Sequence, residues 1–126
     1  MPDGPGNAHP ELLLLSVGRG GWRTLVHIIA TWDMLNADVP DRSQLERCTA
    51  TLLGSGLIQA DDRGRLRTTR TGVKLLKSPS LRHVRPGQQV SELGVLLEGI
   101  LRSPADYEIP EPRYRSAVDE YLSGWR

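Results

Sequence analysis

Apolar residues recur at intervals of three and four along much of the chain, a spacing that places them on one face of a helix. The pattern predicts helices over residues 11–17, 22–36, 41–56, 92–102 and 112 onward. The second of these carries the widest apolar stripe, so Trp22 and Trp32 are expected to pack in the core. The chain is long enough to bury roughly two-thirds of its unfolded surface, which allows a core without disulfides or metals.

The helix predicted over residues 41–56 has recognisable ends. Asp41 can accept a hydrogen bond from a first-turn amide, and Gln44 three residues later completes a capping-box pattern. Gly56 is the expected stop, because a helix end often requires a left-handed residue. The face opposite the apolar one carries small and polar residues, Ser43, Arg47, Ala50 and Gly54. Such a face suits close approach by another surface.

A short hairpin is predicted to follow this helix. Residues 57–60 form a strand candidate, residues 61–64 have turn chemistry, and residues 65–69 alternate basic and less polar side chains. Thr69 is then a plausible N-cap for a further helix over residues 70–77. The spacing of apolar residues thus changes from that of a helix to that of a strand, and then back to that of a helix.

Residues 41–77 resemble the recognition-helix and wing segment of winged helix-turn-helix regulators such as the MarR-like and PadR-like families. The resemblance lies in Leu52-Leu53-x-x-Gly56-Leu57-Ile58, the basic hairpin, and Thr69-x-x-Gly72-x-x-Leu75-Leu76. It implies a mainly α fold with a small β-hairpin (α+β). The helix over residues 22–36 and the helix after it would form the helix-turn-helix, with two helices appended at the C-terminus.

Four segments are expected. Residues 1–10 are rich in Pro and Gly and predicted to be a disordered tail, and residues 11–77 form the winged-helix domain. Residues 78–91 contain two prolines and a glycine and are predicted to be an irregular basic linker. Residues 92–126 form a helical extension that covers the core or pairs with a second copy. In the resembling families such helices often form the dimer, which favours a homodimer.

The charge is unevenly distributed, although the formal net charge is only +1. Residues 63–90 hold six Arg and two Lys with no acid, whereas the segments before and after them carry −4 and −3. A basic block of this kind attracts polyanions, nucleic acid first. The alternative is a solvated face that acids from elsewhere in the chain neutralise.

No pattern of catalytic or metal-binding residues emerges, so neither an enzyme nor a metal or other cofactor is expected. The three histidines lack zinc-ligand spacing, and Cys48, the single cysteine, lies on the apolar face of its helix. One cysteine cannot form an internal disulfide, which fits a reducing cytoplasm. No apolar run approaches the roughly 20 residues of a membrane span, and no signal peptide is recognised.

The resemblance implies DNA-contacting residues on three elements. From the third helix Ser43, Gln44 and Arg47 would face outward, where Arg suits guanine edges and phosphates, Gln adenine edges, and Ser phosphates. The wing would contribute Arg63, Arg65 and Arg67, and the next helix Arg70 and Lys74.

The sequence thus predicts a cytoplasmic protein that binds double-stranded DNA, a transcriptional regulator. The alternative is a winged-helix protein-interaction module, which the acidic Glu46, Asp41 and Asp38 on or near the third helix favour. Acids of the C-terminal segment folded back onto the wing cations would favour this alternative.

Overall fold

The structure, a computed structural model, describes residues 9–124. Residues 1–8 of the tail predicted over residues 1–10 lie outside the described residues, as do Trp125 and Arg126. The predicted end of the tail at residue 10 is wrong, because Pro10 is the first residue of a helix. The described elements are α1 (Pro10–Val17), α2 (Leu25–Asn36), α3 (Arg42–Gly54), β1 (Ile58–Ala60), β2 (Leu66–Thr68), α4 (Arg70–Leu76), α5 (Pro79–Arg82), α6 (Pro86–Glu98) and α7 (Glu111–Leu122). A mainly helical chain with one antiparallel hairpin confirms the predicted α+β class and has a winged-helix-like layout.

The start of α2 differs from the prediction. The Thr24 side chain accepts a hydrogen bond from the backbone amide of His27, so the helix begins at Leu25 rather than at Trp22. Arg23 is extended instead and exchanges two backbone hydrogen bonds with Leu66, of 2.8 and 3.0 Å. This isolated antiparallel bridge places residue 23 beside β2, on the side of β2 away from β1. The expectation that Trp22 packs in the core is therefore wrong, and 37% of its surface is exposed.

The predicted ends of α3 are confirmed. The Asp41 carboxylate accepts a hydrogen bond of 2.7 Å from the Gln44 amide. At the other end Gly56 has φ +74°, and its amide and that of Leu57 donate to the carbonyls of Leu53 and Leu52. This pair of bonds is the Schellman arrangement, which satisfies carbonyls that the helix leaves free.

The hairpin connects α3 to α4. Ile58 pairs with Thr68 and Gln59 with Arg67, and a turn at residues 61–65 joins the strands. Thr69 caps α4 by accepting a hydrogen bond from the Gly72 amide, as predicted. Gly72 is also a point of close approach, because a Cβ atom there would lie 2.4 Å from the carbonyl oxygen of Leu57.

The prediction of irregular structure over residues 78–91 is wrong. This segment holds α5 and the first turns of α6, which runs over residues 86–98 rather than 92–102. Pro79 and Pro86 stand in the first turns of these helices, where a missing amide hydrogen costs nothing and the restricted φ of proline is already helical. α7 likewise begins at Glu111, one residue before the predicted start.

The core forms around α1, which packs against α2, α3, α6 and β2. Its largest fully buried side chains are Trp32, Leu13, Leu14, Ile28, Ile29, Leu45, Leu52, Leu57, Leu93, Leu97, Ile109 and Val17. α7 packs along α2, where the Tyr121 hydroxyl donates a 2.5 Å hydrogen bond to the Asp33 carboxylate. Both C-terminal helices thus cover the core of their own chain.

Candidate nucleic-acid interface

Three side chains form a row across the outer face of the sheet, the face turned away from the core. Arg67 lies opposite Gln59 in the strand register, and the Arg23–Leu66 bridge places Trp22 opposite Arg67 on its other side. Alternation along β2 explains this placement, because Leu66 and Thr68 point inward and are buried. Arg67 therefore projects outward between an aromatic ring and an amide.

Both neighbours contact the Arg67 guanidinium. Its Cζ atom lies 4.6 Å from the centroid of the Trp22 ring, within cation–π range. Nε and Nη2 of the same guanidinium donate hydrogen bonds of 3.1 and 2.7 Å to the Gln59 side-chain oxygen. Neither contact neutralises the charge, so the guanidinium is held in place and remains cationic.

Arg65 differs from Arg67, because a carboxylate neutralises it. Its Nε lies 2.6 Å from the Asp61 carboxylate, although its Cζ also lies 5.8 Å from the Trp22 ring. Asp61 also accepts hydrogen bonds from the backbone amides of Arg63 and Arg65 across the turn. Burial opposes ionisation of this carboxyl, but the hydrogen bonds from Arg65 and Arg63 outweigh it and lower the pKa of Asp61.

The other predicted wing and α4 cations are exposed. Within residues 9–124, no carboxylate forms an ion pair with Arg63, Arg67, Arg70 or Lys74. Of the acids that could have folded back onto them, Glu111 instead pairs with Arg42 and Arg115, at 3.0 and 2.8 Å.

Arg113, a cation that the sequence analysis missed, lies against the wing turn. It projects from α7, and a Cβ atom on Gly64 would come within 2.7 Å of its Nη1 atom. Only the tertiary fold brings α7 to the wing, so no local pattern in the chain could have indicated this contact.

The segment between α6 and α7, residues 99–110, crosses the outward side of α3, and we call it the strap. The Ala105 amide donates a 2.9 Å hydrogen bond to the carbonyl of Ala50, and the Ile109 amide donates a 2.6 Å bond to Glu46. Gly54 allows the closest approach, since a Cβ atom there would lie 2.0 Å from the carbonyl oxygen of Ser103. The small residues of α3 thus receive a segment of the same chain.

The strap covers only part of the predicted recognition surface. It lies over Glu46, Ala50 and Gly54, which we call the covered ridge of α3. Ser43 and Arg47 are exposed and Gln44 is half-buried, beside this ridge. Arg47 borders an open groove of about 1070 Å³ between α3 and the strap. From the sequence, Glu46 is expected to repel DNA phosphates. Its carboxylate instead accepts a hydrogen bond from the Ile109 amide and forms an ion pair with Arg42.

Metal binding and thiol chemistry can be assessed within residues 9–124. No three His, Cys, Asp or Glu side chains there are grouped so that they could hold a metal ion. Cys48 is buried, and this burial raises the pKa of its thiol far above the ordinary value, which keeps it from forming a thiolate. None of the described helices has the length and apolar character to cross a membrane.

Comparison with known proteins adds no constraint. No family model, no curated protein and no solved structure matches this chain. The resemblance to winged helix-turn-helix regulators therefore stays a prediction, and the function is argued from geometry and charge.

Proposed function

We propose that the protein binds double-stranded DNA through its wing and acts as a transcriptional regulator in the cytoplasm. The observation that carries this proposal is the run of exposed cations from the turn to α4, Arg63, Arg67, Arg70 and Lys74, none of which is ion-paired within the described chain. Cations without acid partners retain their full charge for phosphates.

Binding of this kind draws its free energy from counterion release. Each phosphate that a Lys or Arg neutralises frees condensed cations, so affinity falls steeply with salt. Four to six such contacts correspond to a log-log slope of roughly −4 to −5 and a dissociation constant on the order of micromolar for arbitrary sequence. Arg65 contributes less to this total, because Asp61 already partners it.

Sequence preference would come from the exposed edge of α3. Arg47 and Ser43 flank the ridge that the strap covers, and Arg47 can reach guanine edges or phosphates. The strap reduces the part of the α3 surface that DNA bases can contact. We therefore expect this protein to discriminate less between base sequences than a protein with an uncovered recognition helix. Arg47→Ala is therefore expected to alter sequence preference more than overall affinity.

Fluorescence anisotropy of a labelled random duplex across a salt series tests the proposal. In the Arg63→Ala/Arg67→Ala double variant we expect roughly tenfold weaker binding at low salt and a slope reduced in magnitude by about 2, because two phosphate contacts are lost. Arg115→Ala is the matched control: it removes a cation from α7 that pairs with Glu111, and should leave the slope unchanged. A double variant that binds like the parent would contradict the proposal.

A protein-interaction module is the second candidate, and the strap favours it. By covering one side of α3 and fixing Arg42 to Ile109 and Glu111, the strap leaves less of the helix available to a groove of DNA. A partner could also be a second copy, through the exposed apolar Met34 and Leu122 of α2 and α7. Failure to bind duplex at low salt, together with a dimer by light scattering, would support this candidate.

A further inference from the structure

We infer that Trp22 and Gln59 are positioning residues that hold the Arg67 guanidinium as a preformed phosphate-binding group. This inference rests on the proposed DNA binding and adds to it an uncharged residue outside the predicted wing. Trp22 precedes α2 in the chain and reaches the wing only through the Arg23–Leu66 bridge.

The contacts restrain Arg67 from two directions. The indole ring 4.6 Å from its Cζ fixes the plane of the guanidinium, and the bonds from Nε and Nη2 to Gln59 fix its rotation. A free arginine side chain loses considerable rotamer entropy when it binds a phosphate. Here the fold has already ordered the side chain, so less entropy remains to be lost on binding.

The restraint leaves donors free for a ligand. An arginine has five N–H groups, and Gln59 receives one from Nε and one from Nη2. The Nη1 amino group and the second hydrogen of Nη2 stay available, and the Arg67 side chain is exposed. None of the ion pairs within the described residues involves Arg67, so a phosphodiester oxygen is the acceptor that its charge and donors fit.

The exposure of Trp22 has a physical reason in this arrangement. Tryptophan is largely buried in most folded proteins. Here 37% of the Trp22 surface is accessible, on the outer face of the sheet. Its neighbours there are the guanidinium groups of Arg67 and Arg65, at 4.6 and 5.8 Å. The ring thus supports cations and takes no part in the apolar core.

A double-mutant cycle on the same anisotropy assay tests the inference. Trp22→Leu should weaken duplex binding about two- to fivefold, the factor that an exposed cation–π contact corresponds to. Its salt slope should match the parent, because no charge is lost, whereas Arg67→Ala should reduce the slope in magnitude by about 1. In the Arg67→Ala background, Trp22→Leu should cost nothing more. In the parent background, Trp22→Phe retains a ring over the guanidinium and should lose less affinity than Trp22→Leu.

A further variant and the binding of the parent protein separate the possible outcomes. Gln59→Leu removes the second restraint from an exposed position and should give a similar loss, which keeps the inference testable if Trp22→Leu fails to fold. Equal losses from Trp22→Leu with and without Arg67, or no loss at all, would overturn the inference while leaving the proposed DNA binding intact. If the parent protein binds no duplex at any salt concentration, both the proposed DNA binding and this inference are contradicted.

Discussion

Close contact at single glycines explains how this chain brings its segments together. Gly54 lies on the outward side of α3, where the backbone of the strap passes, and Gly72 lets the start of α4 approach the carbonyl of Leu57. Both positions have ordinary helical backbone, so the requirement is for space and not for a left-handed conformation. An apolar pattern could not have distinguished them from glycines that face solvent.

Gly54→Ala should therefore destabilise the protein, even though alanine favours a helix by about 1 kcal/mol over glycine. Its Cβ atom would lie 2.0 Å from Ser103 O and 2.9 Å from Ala105 N, both backbone atoms that cannot rotate away. We expect a net loss of about 1–3 kcal/mol, typical of overpacking. Gly87→Ala in α6 is the control, because nothing lies within 4 Å and the change should be neutral or stabilising. Urea denaturation measures both, and a stabilised Gly54→Ala would contradict the close approach.

Among the elements, the wing shows how one side chain organises a turn. The Asp61 carboxylate accepts hydrogen bonds from the backbone amides of Arg63 and Arg65 and from the Arg65 guanidinium. A single carboxylate thus closes the hairpin turn and neutralises one of the hairpin's cations. From the sequence, Asp61 is expected only to form part of the turn, and Arg65 is expected to contact DNA. The tertiary arrangement instead leaves Arg63 and Arg67 as the exposed wing cations without ion pairs.

The lowered pKa of Asp61 predicts a pH-dependent contribution to stability. A carboxyl with a lower pKa in the folded state stabilises the protein above its unfolded pKa, and this stabilisation is lost as the pH falls through the folded value. Asp61→Asn should therefore lower the melting temperature at pH 7, and the difference from the parent should shrink as the pH falls below the ordinary aspartate pKa of about 4. Thermal melts across this range measure it. Asp62→Asn is the matched control, and a difference independent of pH would contradict the assignment.

Across the whole molecule, the C-terminal helices belong to the same core as the winged-helix unit. α6 packs against α1 and α7 against α2, and Ile109 of the strap is only 2% exposed. The two alternatives open from the sequence were covering the core and pairing with a second copy. The packing within the chain uses one face of each helix, while Val95 of α6 and Leu122 of α7 remain exposed.

Leu97→Ala in α6 should consequently destabilise the entire protein by about 2–5 kcal/mol, because it leaves a cavity in the shared core. Tryptophan fluorescence, which reports the buried Trp32 together with Trp22 and Trp125, and far-UV circular dichroism should show one coincident unfolding transition. Val95→Ala on the same helix is 65% exposed in the parent and should change stability by less than about 0.5 kcal/mol. Two separate transitions would show that the C-terminal segment unfolds independently.

Local chemistry alone was sufficient to predict several elements. The Asp41 cap, the Gly56 stop, the turn after β1 and the Thr69 cap all depend on neighbours within a few residues, and the structure has each of them. Helical periodicity also placed Trp32 of α2 and Cys48 of α3 correctly in the core, since burial follows the face of a helix.

Tertiary structure decided the rest. Whether Trp22 joined a helix or a strand depended on its pairing with β2, which lies far along the chain, and on the Thr24 cap that begins α2. The prolines of residues 78–91 were compatible with either a loop or a first helical turn, and packing of α5 and α6 selected the helix. The strap on α3, Arg113 at the wing and the Trp22–Arg67–Gln59 row all join residues distant in sequence. Their contact energies exist only once the core has brought them together, so no local pattern could encode them.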